Sequence, residues 1–415
     1  MRIYRQLGLL PVLAVLFGML AGCTGKPPVI QSMTPASGPG GTIVEVRFTQ
    51  GGLGGVVLFD GTAVETRYAS NLGLGKILRF TVPYGTAAGN KDVQVRSDGE
   101  TSAASSFTVT AGGTPESPQI DGVEIPNREG KEITVFGSKF TTLSKVFIDG
   151  VEVKRYAGSS LPLRALPLEF VDNAIICEPQ TPFTLGSTHT VQVRNPGNNN
   201  SPDFTFKVPT RVCMMEFDAL DGIPLPDYYR FRNNTLSTMR RGYTECGWIL
   251  ELSYDDTAIP DPQAGAVFTP ADMYSFWQAN ANLPGGSEFY MHGAFVTADD
   301  QGLLGIMFMN TGSVPSLPNA ERRLGFSVFR NAFSGSDLED KYLRTTMHEA
   351  GHGFNLLHSD GDGVRSIMNQ TSVVGSNFRY IFSDISCDHL ESHDIDAVGP
   401  GGEAFGSGRS CNNLH

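Results

Sequence analysis

Two histidines and a glutamate near the C-terminus have the spacing of a metal site. His348 and His352 are four residues apart, and Glu349 directly follows the first histidine. Because residues four apart lie on one face of a helix, both imidazoles can reach a single zinc ion, which binds histidine nitrogen at about 2.0–2.1 Å. Glu349 stands beside them, where its carboxylate can reach a water on the metal. The spacing therefore predicts a zinc site with an adjacent carboxylate.

A third histidine, His358, follows six residues after His352. A helix that simply continued would point this side chain away from the other two, so the chain must turn sharply near residue 355. Asn355 suits such a turn, because asparagine tolerates a positive φ. The alternative interpretation is an ordinary helix with buried, hydrogen-bonded histidines and an exposed glutamate.

The segment 348–358 resembles the motif of the metzincin metalloproteases, H-E-x-x-H-x-x-G-x-x-H followed by a Met-turn. The resemblance implies zinc on His348, His352 and His358, with Glu349 as the general base and Met368 as the Met-turn residue. It also implies a protein or peptide substrate, whose peptide bond is hydrolysed by a zinc-activated water.

This sequence departs from the metzincin pattern at two positions. Asn355 stands where the family has glycine, and Gln370 stands where some members carry a metal-binding tyrosine. The resemblance therefore implies three protein ligands. In this family the strand before the active helix pairs with an extended substrate, and 302–309 is the candidate for that edge strand.

The elements that must position these histidines are predicted from the surrounding pattern. Ser336 and Glu339 have the spacing of a capping box, which predicts a helix running to about Phe354. Thr269 followed by Pro270 predicts the start of an earlier helix. Strand-length apolar runs occur at 246–252, 288–297, 303–309 and 323–333. Residues 209–415 are therefore predicted to form an α+β or α/β domain that is metzincin-like.

The preceding chain contains an internal repeat of β type. Val93-Gln94-Val95-Arg96 recurs as Val191-Gln192-Val193-Arg194, and Asp60-Gly61 is echoed by Asp149-Gly150. Together with Pro39-Gly40-Gly41 in the first copy, this pattern resembles the IPT/TIG family of immunoglobulin-like domains. The resemblance implies all-β sandwiches at 28–110 and 117–208, which act as a spacer or bind a glycan or protein ligand.

The N-terminus has the features of an export signal. Arg2 and Arg5 precede an apolar run over 7–20. The four residues that begin at the end of this run, Leu20-Ala21-Gly22-Cys23, resemble a bacterial lipobox. Residues 1–22 are predicted to be a lipoprotein signal peptide, with lipid on Cys23 and a linker over 23–27. The protein is then expected to be lipid-anchored at the cell envelope, at the outer membrane or cell surface.

Cysteines and charge place further limits on function. Export permits disulfides, and the local pairings are Cys213 with Cys246 and Cys387 with Cys411. The chain has 31 basic and 43 acidic residues, a net charge of −12, which argues against a nucleic-acid partner. The polar segment around Asp360 is a candidate Ca²⁺ site, with a plain polar loop as the alternative.

Two functions of different classes follow. The first is a cell-surface zinc-dependent endopeptidase with Glu349 as general base. The alternative is an adhesion or ligand-binding surface lipoprotein whose metal domain is structural or inactive.

Overall fold

The computed structural model describes residues 26–406 apart from 52–54, 65, 72–74, 114–115, 142, 156–171, 198, 255, 262–266, 283–288, 308–322 and 362. The signal peptide, Cys23, Cys411 and Asp362 lie outside the described residues. The chain divides into two units, Met1–Pro115 with Thr141–Leu143, and Glu116–Phe140 with Ser144–His415. No helix in the described part of the chain is long and apolar enough to cross a membrane.

The strands of the first unit are β1 (Val29–Thr34), β2 (Ser37–Gly38), β3 (Ile43–Thr49), β4 (Val56–Phe59), β5 (Thr62–Ala63), β6 (Thr66–Asn71), β7 (Gly75–Thr81), β8 (Gly89–Ser97), β9 (Glu100–Thr101) and β10 (Ser105–Val109). They form two sheets, with the orders β1-β3-β7-β6 and β2-β10-β8-β4-β5. Val93 and Val95 are fully buried on one face of β8, as the alternation predicted. The first β-sandwich is therefore present.

The strands of the second sandwich are β11 (Gln119–Glu124), β12 (Ile133–Ser138), β13 (Lys145–Ile148), β14 (Val151–Arg155), β15 (Ala174–Glu178), β16 (Thr188–Asn195), β17 (Asn199–Asn200) and β18 (Phe204–Lys207). They join as β11-β12-β15-β14-β13-β16-β17, with β18 paired to β16. The repeated Asp149-Gly150 closes the β13–β14 hairpin with φ of 50° and 79°. Two successive positive φ values are what a two-residue hairpin requires, so the repeat encodes the turn.

The remaining strands are β19 (Arg211–Ala219), β20 (Arg230–Arg232), β21 (Thr235–Ser237), β22 (Trp248–Ser253), β23 (Phe289–Val296), β24 (Gly305–Met307) and β25 (Gly325–Phe329). The helices are α1 (Met239–Thr244), α2 (Pro270–Asn280), α3 (Leu338–Gly353), α4 (Thr371–Val374), α5 (Asp384–Ser392) and α6 (Ile395–Val398), with a 3₁₀ turn at Arg330–Ala332. The main sheet has the order β22-β19-β23-β25-β24, parallel except for the antiparallel edge strand β24.

The helix α3 packs on one face of this sheet because its apolar residues follow helical spacing. Leu343, Met347 and Ala350 are buried in the core that it shares with β19 and β25. The edge strand β24 lies where the sequence predicted a strand with a free edge. The helix α2 begins as predicted, since Thr269 and Asp272 form a capping box.

The capping box predicted at Ser336 is wrong. The N-cap of α3 is Asp337, so Ser336 lies one residue too early, and Asp337 makes no capping hydrogen bond. Its carboxylate instead accepts hydrogen bonds from Ser376 and from Lys341, the latter at 3.0 Å. These two hydrogen bonds hold the pKa of Asp337 below its ordinary value. The end of α3 at Gly353 agrees with the predicted helix.

The predicted cysteine pairing is also wrong. The disulfide joins Cys246 to Cys387, which are 141 residues apart in sequence. Cys213, on the inner strand β19, is a buried thiol, and Cys177 in the second sandwich is also buried. Cys213 faces the core between the sheet and the helices, whereas Cys246 follows α1 and meets α5. Closeness in sequence therefore did not predict which cysteines lie close together in space.

The second sandwich and the C-terminal domain share buried contacts. Ile249 of β22 lies in the sandwich core, and Arg128 of the sandwich makes a two-pronged contact of 2.9–3.1 Å with the Glu251 carboxylate. Glu124, almost fully buried, accepts a hydrogen bond from Tyr228 at 2.6 Å. Because a shared core and buried polar pairs resist separation, the second sandwich is a structural part of this unit rather than a detached spacer.

Candidate metal centre

Three imidazole nitrogens converge at the C-terminal end of α3. The Nε2 atom of His348 lies 3.1 Å from Nε2 of His352 and 3.2 Å from Nε2 of His358. His348 is buried, His352 is partly buried and His358 is exposed at the rim. The structure thus brings together all three histidines that the sequence selected.

The turn that returns His358 has the predicted geometry. Asn355 adopts φ of 62°, in the left-handed region. Its side chain is held on both sides, because Nδ2 donates to the Ala397 carbonyl at 2.8 Å and Oδ1 accepts from the Gly406 N–H at 2.9 Å. Asparagine replaces glycine here at little backbone cost and adds two hydrogen bonds.

Backbone carbonyls fix the tautomers of two histidines. The Nδ1 atom of His348 donates to the Ile367 carbonyl at 2.8 Å, and Nδ1 of His352 donates to the Leu356 carbonyl at 2.7 Å. In a neutral ring the proton on Nδ1 leaves the lone pair on Nε2, so both lone pairs point toward the shared centre. Two nitrogen lone pairs this close repel each other. A cation between the two nitrogens would remove that repulsion, and a set of neutral imidazole nitrogens suits zinc.

Burial keeps these imidazoles neutral. It lowers the pKa of His352 to about 4 and also lowers the pKa of His348 and of His358. The same burial raises the pKa of Glu349 to about 8, although Arg344 and a hydrogen bond from the Met307 backbone oppose it. The site therefore combines three neutral imidazoles with a carboxyl group that can hold a proton near neutral pH.

The predicted Met-turn residue lies directly under the helix α3 that carries His348 and His352. Met368 is fully buried, and a Cβ added to Gly351 would lie only 2.4 Å from its sulfur. Such an approach requires glycine on the helix at this point. Because the neighbouring Ile367 carbonyl holds His348, the packing of Met368 fixes a ligand indirectly.

Sequence reasoning missed Arg344, which lies one helical turn before His348. Its guanidinium donates to the Ile367 and Asn369 carbonyls, the former at 3.1 Å, and to the Thr371 hydroxyl at 3.0 Å. Burial lowers its pKa to about 10, so it remains charged at neutral pH. An arginine on the face of His348 was visible in the sequence, but its contacts were not.

A cleft of about 340 Å³ opens onto the three histidines. Its wall includes Glu349, the edge strand β24 and Phe405, whose ring lies 5.4 Å from that of His352. The Asp360 carboxylate accepts a hydrogen bond from the Gln370 N–H at 2.5 Å. The calcium prediction rests partly on Asp362, which lies outside the described residues, and stays a prediction.

No family model and no curated protein matches the chain. Solved structures do match. The protein SGBP-B from a complex xyloglucan utilization locus in Bacteroides uniformis is 16% identical, with a TM-score of 0.18, and the match covers 43% of this chain and 48% of that one. The surface glycan-binding protein PbSGBP-B from Prevotella bryantii is 14% identical, with a TM-score of 0.16 over 48% of this chain and 46% of that one.

The adhesin InvE of Yersinia pseudotuberculosis is 13% identical, with a TM-score of 0.16 over 45% of this chain and 58% of that one. The chain thus spans about half the length of these matching structures, and less of some others. At this level of similarity, nothing about ligands is transferred to this chain.

The prediction that the protein is a cell-surface endopeptidase is wrong as it was stated. The matching structures include a surface glycan-binding protein and an adhesin, and none of those named here is a peptidase. No peptide substrate is carried forward from the sequence prediction.

Proposed function

We propose that this chain is a ligand-binding protein of the cell surface whose C-terminal domain holds a zinc ion in a centre of hydrolytic type. The observation that carries the proposal is the convergence of His348, His352 and His358 through Nε2. The metal site would follow the metzincin arrangement, with Met368 beneath it. Cys23 would carry the lipid that anchors the protein.

The roles of the residues follow from their positions. The three imidazoles bind the ion, and the cleft leaves one side of it accessible to a ligand. When bound, zinc supplies Lewis acidity that polarises a substrate oxygen and acidifies water. Glu349 accepts a proton at its carboxylate and returns it to a leaving group.

Zinc content tests the metal site. The purified full chain should hold zinc, and His352→Ala should lose one equivalent because it removes one of three ligands. His189→Gln, which changes a histidine of the second sandwich, is the matched control and should keep the metal. Equal zinc content in all three proteins would contradict the site.

Hydrolysis of an activated phenyl ester tests the chemistry without presuming a natural substrate. Glu349→Gln should keep the zinc but lose about 100-fold or more in zinc-dependent rate, since general-base catalysis contributes about 10²–10⁴-fold. An unchanged rate in this variant would leave a zinc site without hydrolytic function.

A second candidate site for ligand binding lies between the second sandwich and the C-terminal domain. A groove of about 650 Å³ is lined by four arginines, Arg232, Arg241, Arg365 and Arg379, and by Asp121 and Glu245, whose carboxylates both pair with Arg241. Arg365 and Arg379 are exposed, and no hydrogen bond of either side chain is found within the described residues. Guanidinium groups select carboxylates and sulfates, so the groove suits an acidic glycan.

Titration with polygalacturonate and with a neutral β-glucan tests the groove. Arg365→Ala with Arg379→Ala should weaken binding of the acidic polymer about tenfold or more and leave zinc content unchanged. Lys131→Ala removes an exposed cation on the second sandwich and is the matched control. Equal binding of the acidic and neutral polymers would contradict an anionic ligand.

A further inference from the structure

A second cluster of metal-type side chains lies on the opposite face of the main sheet from α3. Alternate residues of β19 face opposite sides, so Met215 and Phe217 enter the core under α3. Glu216 and Asp218 therefore face the other side, where Leu220 packs with α2. His292 of β23 is the cross-strand partner of Glu216. The three side chains meet because parallel strands place them in register.

The cluster is buried and tightly grouped. Asp218 and His292 have no exposed surface, and Glu216 is 3% exposed. One potential ligand atom from each of the three residues lies within 4.8 Å of the others. Ligand atoms at about 2.0–2.2 Å from one ion in tetrahedral geometry are about 3.3–3.6 Å apart, so the three side chains would have to draw closer together to bind it.

Polar atoms in this cluster lack partners. Nε2 of His292 lies 2.9 Å from Oδ2 of Asp218, yet the other ring nitrogen, Nδ1, and the other carboxylate oxygen, Oδ1, have no hydrogen bond within the described residues. The same holds for the hydroxyl of Ser327 on the adjacent strand β25. Unpaired buried polar atoms are costly, which indicates that something else satisfies them.

The charge of the cluster also lacks compensation. Glu216 accepts hydrogen bonds from Tyr290 and Asn282, which are neutral groups. No lysine or arginine among the described residues pairs with either carboxylate. Burying two carboxylates with one imidazole is unfavourable unless a cation or a proton neutralises them, because buried charges lose their hydration.

We propose that Glu216, Asp218 and His292 bind a second divalent transition-metal ion, separate from the three-histidine centre. Two carboxylates and one imidazole are a mixed oxygen and nitrogen set that suits zinc and its neighbours in the first transition row. This ion joins β19 to β23 from within, so its role is to stabilise the sheet that carries α3.

Metal content of the full chain, equilibrated with zinc chloride and then dialysed, tests the second site. The wild-type protein should hold two equivalents of zinc. Asp218→Asn and His292→Gln should each hold one, and so should His352→Ala. Asp221→Asn, which changes an exposed aspartate just beyond β19, is the matched control and should hold two.

Two further measurements test whether misfolding of a buried variant, rather than loss of a ligand, causes a loss of zinc. Circular dichroism verifies that each variant is folded, and X-ray absorption of zinc-loaded His352→Ala reports the remaining ligands without disturbing the cluster. A shell with one imidazole and carboxylate oxygens is expected. Three imidazoles or no bound zinc would overturn the proposal.

The outcomes separate the two sites. If the wild-type protein holds one equivalent of zinc and only His352→Ala loses it, the second site is overturned and the first stands. Asp218 and His292 are then a buried hydrogen-bonded pair. If the wild-type protein holds one equivalent of zinc and only Asp218→Asn loses it, the second site is supported and the three-histidine centre is contradicted. Retention of two equivalents by folded Asp218→Asn also overturns the second site.

Discussion

Asn355 offers a quantitative test of how the turn before His358 is stabilised. Replacing it with glycine keeps the left-handed backbone accessible but removes the hydrogen bonds to Ala397 and Gly406. Each contributes about 1 kcal/mol net, so Asn355→Gly should lower the free energy of unfolding by about 2 kcal/mol. Asn355→Ala adds about 1 kcal/mol for an alanine at φ of 62°, for a total of about 3 kcal/mol.

Urea unfolding followed by tryptophan fluorescence measures these differences, because both tryptophans, Trp248 and Trp277, lie in the domain that contains the turn. Asn331→Ala, at an exposed asparagine of the same domain, is the matched control and should change the free energy by less than about 0.5 kcal/mol. The alanine variant should also retain zinc less well than the glycine variant, since His358 follows the turn. Equal stability of wild type and both variants, or a glycine variant less stable than the alanine variant, would refute this reasoning.

Three further predictions concern covalent and ionic features of the fold. Replacing both Cys246 and Cys387 with alanine should lower the free energy of unfolding by about 2–4 kcal/mol, since the disulfide spans 141 residues. Urea titration measures this difference. A change below about 1 kcal/mol would contradict the disulfide. Cys177 and Cys213 should resist iodoacetamide in the folded protein and react after unfolding, because both are buried and burial raises the pKa of the Cys213 thiol. Mass spectrometry of the labelled peptides measures this reactivity. Labelling of either thiol in the folded protein would count against the prediction. The lowered pKa of Asp337 means that its carboxylate stabilises the fold above the unfolded value of 3.8 and that this contribution is lost as the pH falls through the folded value. Asp337→Asn should therefore cost at most about 1 kcal/mol at pH 6 and progressively less as the pH falls below 3.8, as urea titrations over this pH range would report; a constant difference would exclude titration as its cause.

Local features were predictable from sequence because nearby residues determine them. The Asp149-Gly150 hairpin, the capped start of α2 at Thr269 and the left-handed turn at Asn355 each depend on a few consecutive backbone torsions. The spacing of His348 and His352 is likewise a property of one helix. The capping box at Ser336 failed even though it is local, because the polar contacts that begin α3 come from Lys341 and Ser376 instead.

The endopeptidase prediction failed at a different level. A motif of eleven residues can specify metal ligands, but a substrate is selected by the whole surface around the cleft. The wall of that cleft brings together the edge strand β24, α3 and Phe405, and this grouping of distant segments was invisible in the sequence.

The order of residues alone was enough to select three histidines, one glutamate, two β-sandwiches and a final mixed domain, because helical and strand periodicities are repeated in short windows of sequence. Folding decided which cysteines meet, how Arg344 holds the loop that supports His348, and that Glu216, Asp218 and His292 face one another. These contacts join segments up to 141 residues apart. Their distances depend on strand order and packing, which no local pattern of residues specifies.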